Sequence, residues 1–195
     1  MFGKSVLCVT VLCLLFLHPS AGAEELAHNV PLSTVPDNYM AETQRHLKFY
    51  NIHTKEKIDV VFWADGRYNR RGLKRLNHFL RDWRANEVRE IDPDVLSLVY
   101  KIRKELERDY PHLKDTYLHI ISGYRSPETN AKMRRAGRGM AKNSQHIYGR
   151  AIDIHFPGVP TRVVRDIARS FRAGGVGYYP SAGFIHVDTG RVRSW

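Results

Sequence analysis

Cysteine is nearly absent from this chain. Of 195 residues only Cys8 and Cys13 are cysteines, and both lie near the start. Acidic residues are also scarce beside basic ones: 20 Asp and Glu face 31 Lys and Arg, a net charge of +11. Only one apolar run stands out, from Ser5 to Leu17, and it is short for a bilayer span. No segment is low in complexity, and no repeat is visible. Each absence excludes something. The apolar run follows Lys4 and precedes Pro19 and Ala21-Gly22-Ala23, the layout of a secretory signal peptide over residues 1–23 with cleavage after Ala23. An uncleaved anchor is the competing reading. Cleavage removes both cysteines, so the mature protein has no disulfide framework and no thiolate to offer a metal. Neither cysteine follows a small-residue cleavage pattern, which argues against a lipoprotein, and no twin-arginine pair precedes the run, which favours export in the unfolded state. The expected location is the periplasm or cell envelope.

Losing Lys4 with the leader lowers the net charge from +11 to +10. An exported protein this basic suits an anionic partner such as peptidoglycan, or peripheral contact with a membrane surface. Export and the lack of a nucleic-acid motif argue against nucleic acid. The blander reading is that the charge only keeps the protein soluble.

Residues 24–45 are polar, carry Pro31 and Pro36, and read as an extended lead-in to a single domain over 46–195. His46 to Trp63 alternates in polarity around His53-Thr54-Lys55-Glu56, which predicts a hairpin with Leu47, Phe49, Val61 and Trp63 partly buried. Leu73, Leu76, Leu80 and Trp83 have helical spacing and predict a helix over 72–88. Asp92-Pro93 reads as an N-cap and first helical residue. Val95, Leu98, Val99, Ile102 and Leu106 continue one apolar face. A strand is expected over 117–121, a short helix over 128–135, and a mobile, Gly-rich basic loop over 136–144. Beyond it come a strand over 151–156, an amphipathic helix over 161–172 ended by Gly174-Gly175, and strands over 176–179 and 184–188. The fold class is α+β, a small, mostly antiparallel sheet packed on helices.

The chemistry concentrates in the last third. His146 and Asp153 lie seven positions apart with Gly149 between them, and His186 follows Asp153 by 33 residues. Imidazole nitrogen and carboxylate oxygen are good zinc donors, and two His with one carboxylate leave a fourth position open, as catalytic sites do. Zinc in such a site lowers the pKa of its water toward ~7. Spacing alone is weak support among ten histidines. Strand geometry strengthens it, because alternate residues share a face. Ala151, Asp153 and His155 then point together, as do Phe184, His186 and Asp188, so two adjacent antiparallel strands would bring Asp153 and His186 to one ion.

Three motifs occur in order: Ser122-Gly123-Tyr124-Arg125-Ser126; Ser144-Gln145-His146-x-x-Gly149-x-Ala151-x-Asp153; and Gly175-Val176-Gly177-Tyr178-Tyr179 followed by Phe184-Ile185-His186-Val187-Asp188-Thr189-Gly190. With the terminal Arg191-x-Arg193-x-Trp195, the chain resembles the DUF882 (YcbK-like) branch of the M15 peptidases over about residues 45–195. The resemblance implies the zinc peptidase core shared with D-Ala-D-Ala carboxypeptidases and the Hedgehog signalling domain. It implies His146, Asp153 and His186 as ligands of one zinc ion, and hydrolysis of peptide bonds in peptidoglycan. It also supports a site role for Arg125, which could stabilise the oxyanion formed during attack or clamp a substrate carboxylate; otherwise it is a surface arginine in a turn. Ser144 could contact substrate or serve as a turn hydroxyl.

The general base departs from the better-known pattern. Many M15 enzymes place Glu three residues before the last ligand histidine, and others place His two before it; here Gly183 and Phe184 occupy those positions. Asp188 is the first candidate base and His155 the second, although Asp188 could instead orient a ligand histidine. The expected function is a zinc endopeptidase cutting peptidoglycan cross-links. The alternatives are a carboxypeptidase trimming D-amino acids from stem peptides and a non-catalytic wall-binding module.

Overall fold

Asn69 and Asp92 set the first two helices. The computed structural model describes residues 42–137, 139 and 141–195. The Asn69 side chain accepts from the Gly72 N–H and opens α1 (Arg70–Phe79). Asp92 accepts from the Asp94 N–H, with Pro93 at the first helical position, and opens α2 (Pro93–Leu106). Both caps satisfy amides that have no partner inside the helix. Two further helices, α3 (Pro127–Arg135) and α4 (Thr161–Ser170), follow. None of the described helices is long and apolar enough to cross a membrane. The expected leader, and the expected lead-in up to residue 41, lie outside the described residues.

Eight strands form one mixed sheet. They are β1 (Gln44–Asn51), β2 (Lys57–Ala64), β3 (Arg67–Tyr68), β4 (Leu118–Ser122), β5 (Ala151–His155), β6 (Gly175–Tyr179), β7 (Phe184–Asp188) and β8 (Arg193–Ser194). Their spatial order is β3-β2-β1-β4-β5-β7-β6-β8. β1 with β4 and β6 with β8 pair in parallel, and the other neighbours run antiparallel. The sheet is therefore larger than the small one the sequence suggests, because the N-terminal hairpin joins it through β4.

Period-two alternation divides the sheet into an apolar face and a chemical face. Leu47, Phe49, Ile58, Val60, Phe62, Ile120, Ile152, Ile154, Ile185 and Val187 are buried in one core with Leu76 and Phe79 of α1, the apolar face of α2, and Val164 and Ala168 of α4. Asp153 and His186 alternate with these residues and so point the other way. In the hairpin, Leu47 and Phe49 are fully buried, whereas Val61 and Trp63 lie on the opposite face and are only partly covered.

Two expected elements differ. The helix predicted over 72–88 ends at Phe79, and Asp82 and Glu87 then pair in a tight turn. Trp83 stands partly exposed, its ring stacked on His53 at 4.9 Å, so it is no part of an apolar helical face. The helix expected to stop at Gly174-Gly175 ends at Ser170, and Arg172 takes the left-handed conformation (φ 49°). Gly174 serves a close approach instead: a Cβ there would lie 1.8 Å from the Asp188 carbonyl oxygen.

Asp82 decides the shape of that turn. It is 1% exposed, and its two oxygens accept from the Arg84 and Ser126 N–H groups at 3.1 and 2.9 Å. Burial alone would raise its pKa, but bonds from Thr129, Ser126 and Arg84 outweigh that and hold the carboxyl below its ordinary value. A depressed carboxylate stabilises the fold above the unfolded-state pKa, ~3.9, and loses that contribution as pH falls through the native value. Asp82→Asn should therefore cost about 1–3 kcal/mol near pH 7. Denaturant midpoints should show the gap from wild type narrowing below about pH 4; an equal gap at both pH values would rule out a role for the ionised group.

Candidate metal centre

Backbone bonds place the site before any side chain does. The segment after β4 is held on both sides: the Tyr124 N–H donates to Leu80 O at 2.8 Å, and the Arg125 N–H donates to His146 O at 3.2 Å. A one-turn 3-10 helix (Gln145–Tyr148) carries His146 and ends at Gly149. Gly149 has φ 68°, and a Cβ there would lie 2.3 Å from Glu90 O, so this turn admits only glycine. β5 and β7 then pair with Asp153 opposite His186.

The three side chains meet. Asp153 Oδ1 lies 2.9 Å from His186 Nδ1 and 3.2 Å from His146 Nε2, and the two ring nitrogens are 3.2 Å apart. Donors ~2.0–2.1 Å from a tetrahedral zinc ion would stand roughly 3.4 Å apart, so the triangle is close to that size. The far ring nitrogens are already occupied. His146 Nδ1–H donates to Gly123 O at 2.6 Å, and His186 Nε2–H donates to Asp188 Oδ2 at 2.9 Å. Carbonyl and carboxylate partners fix both tautomers and leave one lone pair on each histidine for an ion. The set N, N, O without sulfur fits zinc chemistry. All three residues are buried.

The electrostatics are those of a cation site. Burial favours the neutral carboxyl of Asp153, yet His146 and His186 pull its pKa far below the usual range. Burial depresses His146 against the pull of Asp153. Burial opposes the charge on His186 too, but Asp153 and Asp188 on either side raise it to about 9. The two carboxylates that favour a positive charge on His186 would equally favour a cation beside its Nδ1.

The other expected site residues fall into three positions. Arg125 and Ser144 line the same open cleft of about 320 Å³ as the three donors. Arg125 is 4% exposed, and its Nη2 lies 3.2 Å from Ser122 Oγ and 3.7 Å from Asp153 Oδ2. Asp188 lies behind His186, on the side of the ring away from Asp153. It is 0% exposed and accepts five bonds: from His186, from the Gly175 and Gly190 N–H groups, and two from the Arg193 guanidinium at 3.0 and 2.6 Å. Burial works against its charge, but these donors hold its pKa well below normal. His155 donates its Nδ1–H to Gly183 O at 2.6 Å and does not line the cleft.

Comparison with known proteins identifies the family of the chain. A family profile described as peptidoglycan L,D-endopeptidase MepK, of the M15 peptidases, matches residues 39–195. The chain belongs to this family. A probable peptidoglycan L,D-endopeptidase MepK of Haemophilus influenzae is 42% identical over 84% of this chain and 88% of its own length. The peptidoglycan L,D-endopeptidase MepK of Escherichia coli is 44% identical over 77% of this chain and 80% of its own. No solved structure matches.

Membership in the family leaves visible what sequence reasoning missed. Arg193 was only part of a terminal motif, but it is the bidentate partner of Asp188. Tyr179, Phe184 and Trp195 form an aromatic wall of the cleft. Their signal was the aromatic density of the last strands, which reads equally well as core. If the three donors bind one ion, His146→Ala, Asp153→Ala and His186→Ala should each lower zinc stoichiometry from about one per chain to near zero by equilibrium dialysis. Retention of the ion in any variant removes that residue from the ligand set.

Proposed function

We infer that this chain is an exported zinc endopeptidase that hydrolyses peptide cross-links in peptidoglycan. The observation that carries the reading is the buried His146–Asp153–His186 triangle facing an open cleft, in a chain 42–44% identical to the two relatives over most of its length. We take its core to be the one shared with D-Ala-D-Ala carboxypeptidases and the Hedgehog signalling domain.

Three ligands are proposed: His146 through Nε2, Asp153 through Oδ1 and His186 through Nδ1. Zinc held there supplies Lewis acidity for attack of water on a peptide carbonyl. Arg125 is proposed to bind the peptide and to stabilise negative charge developing on the carbonyl oxygen. Ser144, at the entrance to the 3-10 turn, is proposed as a contact for the substrate backbone.

Asp188 is proposed as a positioning residue for His186 rather than as the general base. Its lone pairs are engaged, it has no exposed surface, and it sits across the imidazole from the cleft. His155 is a poor candidate for the base because it does not line the cleft with the three donors. An orienting role predicts that Asp188→Asn weakens zinc affinity about 10–100-fold. A genuine base would instead lose turnover with zinc affinity unchanged, which competition with a chromogenic chelator would reveal.

The substrate is proposed to be a cross-linked stem peptide, in keeping with relatives named peptidoglycan L,D-endopeptidases. The basic surface would favour the anionic wall, and the proposed location is the periplasm or envelope. Mass spectrometry of defined 3-3 and 4-3 muropeptide dimers after incubation with the zinc-loaded protein tests this. Conversion of dimer to monomers is the expected result. Loss of single terminal residues would identify a carboxypeptidase, and intact dimers with retained binding to sacculi would identify a wall-binding module.

A further inference from the structure

One side of the cleft is polar and the other aromatic. Tyr179 ends β6, two residues after Gly177, which pairs with the ligand candidate His186. Alternate strand residues share a face, so Tyr179 and Gly177 flank the same surface. Gly177 leaves room there: a Cβ would lie 2.8 Å from the Trp195 indole. Trp195 therefore lies over Gly177, its ring 5.2 Å from the His186 ring, and its Nε1–H donates to the Tyr179 hydroxyl at 2.9 Å. Phe184 stacks on the Tyr179 ring at 4.6 Å with an interplanar angle of 19°.

The direction of that hydrogen bond matters. An indole N–H can only donate, so it occupies a lone pair of the tyrosine oxygen. The phenolic proton remains to be donated, and no hydrogen bond among the described residues takes it. The hydroxyl belongs to a residue lining the cleft with Arg125, His146, Asp153 and His186. Arg125, the other donor there, already bonds Ser122 and Asn130 and pairs with Asp153. The cleft thus holds an O–H donor, pinned by an aromatic stack and oriented by an indole, on the strand that pairs with the one carrying His186.

We propose that Tyr179 is a catalytic residue that donates a hydrogen bond to the oxyanion developing on the scissile carbonyl, and that Trp195 is its positioning residue. The proposal rests on the endopeptidase reading. No proton is transferred in this step; the bond strengthens as charge grows on the carbonyl oxygen. Removing one such preorganised donor typically lowers kcat about 10²–10³-fold.

The test uses the full chain loaded with zinc, comparing wild type, Tyr179→Phe and Trp195→Phe. Four quantities are read: kcat and KM on a cross-linked muropeptide dimer, zinc content, and affinity for a phosphinate pseudopeptide with tetrahedral phosphorus in place of the scissile carbonyl. Tyr179→Phe keeps the stack and removes only the hydroxyl. It should lower kcat and phosphinate affinity by a similar factor of about 10²–10³, with KM and zinc content little changed. Trp195→Phe should give a smaller loss of the same pattern, with the hydroxyl present but no longer aimed. Near-wild-type kcat and phosphinate affinity in Tyr179→Phe would overturn the proposal, as would a rise in KM alone, which marks a passive wall. No cleavage by the wild type, with zinc bound, overturns the endopeptidase reading itself and this proposal with it.

Discussion

The buried carboxylate of Asp188 is the constraint on which the C-terminal half of this protein is built. A charge with no exposed surface is costly unless its lone pairs are filled, and here five donors fill them. The donors come from four residues, two of them from Arg193. Gly175 starts β6, Gly190 forms the turn after β7, Arg193 belongs to β8, and His186 faces the cleft. To reach the carboxylate the backbone must come close, which is why Gly174 and Gly175 have no room for side chains. One ionised group thereby fixes two strands, a turn and the orientation of the His186 ring.

That arrangement passes the constraint to the candidate metal centre. His186 stands between two carboxylates, so its far nitrogen is tied and its near nitrogen is presented beside Asp153. His146 reaches the same point by an independent route, through Gly123 O and the turn that Gly149 permits. The segment 123–126 links the two halves, because it holds His146 through a carbonyl and carries Arg125 into the cleft. Asp82 anchors that segment from the other side. The candidate ligands are oriented because the far ring nitrogen of each histidine has a partner, and a set held in this way would need little rearrangement to take an ion.

Much of this was legible in the sequence, and the limits have physical causes. The strand-face argument for Asp153 and His186 was legible because period two is a local property, and the register pairs them directly. Asp92-Pro93 was legible because caps are local as well. The end of α1 was not, since Leu80 and Trp83 have helical spacing while the turn is set by bonds from Asp82 to residues 44 positions away. Gly174-Gly175 looked like a helix stop, since a glycine pair carries no sign of whether it provides left-handed φ or close approach. The side of His186 on which Asp188 lies was also hidden. Residues two apart share a face, but only the ring orientation decides which nitrogen meets which partner.

The missing glutamate then has a structural reading. With Gly183 and Phe184 in place of the familiar acid and histidine, the described lining of the cleft has Asp153 as its only carboxylate. What fills the opposite wall is aromatic: Phe184 itself stacks on Tyr179, and Trp195 closes against both Tyr179 and His186. Phe184 thus fills its position with an aromatic ring stacked on Tyr179, another residue of the cleft lining. Under the proposed function, activation of water in such a cleft would depend more on the metal and its ligands, and stabilisation of a developing oxyanion on donors arranged around the carbonyl. That division of labour suits a site whose buried acids are already committed to histidines and arginines.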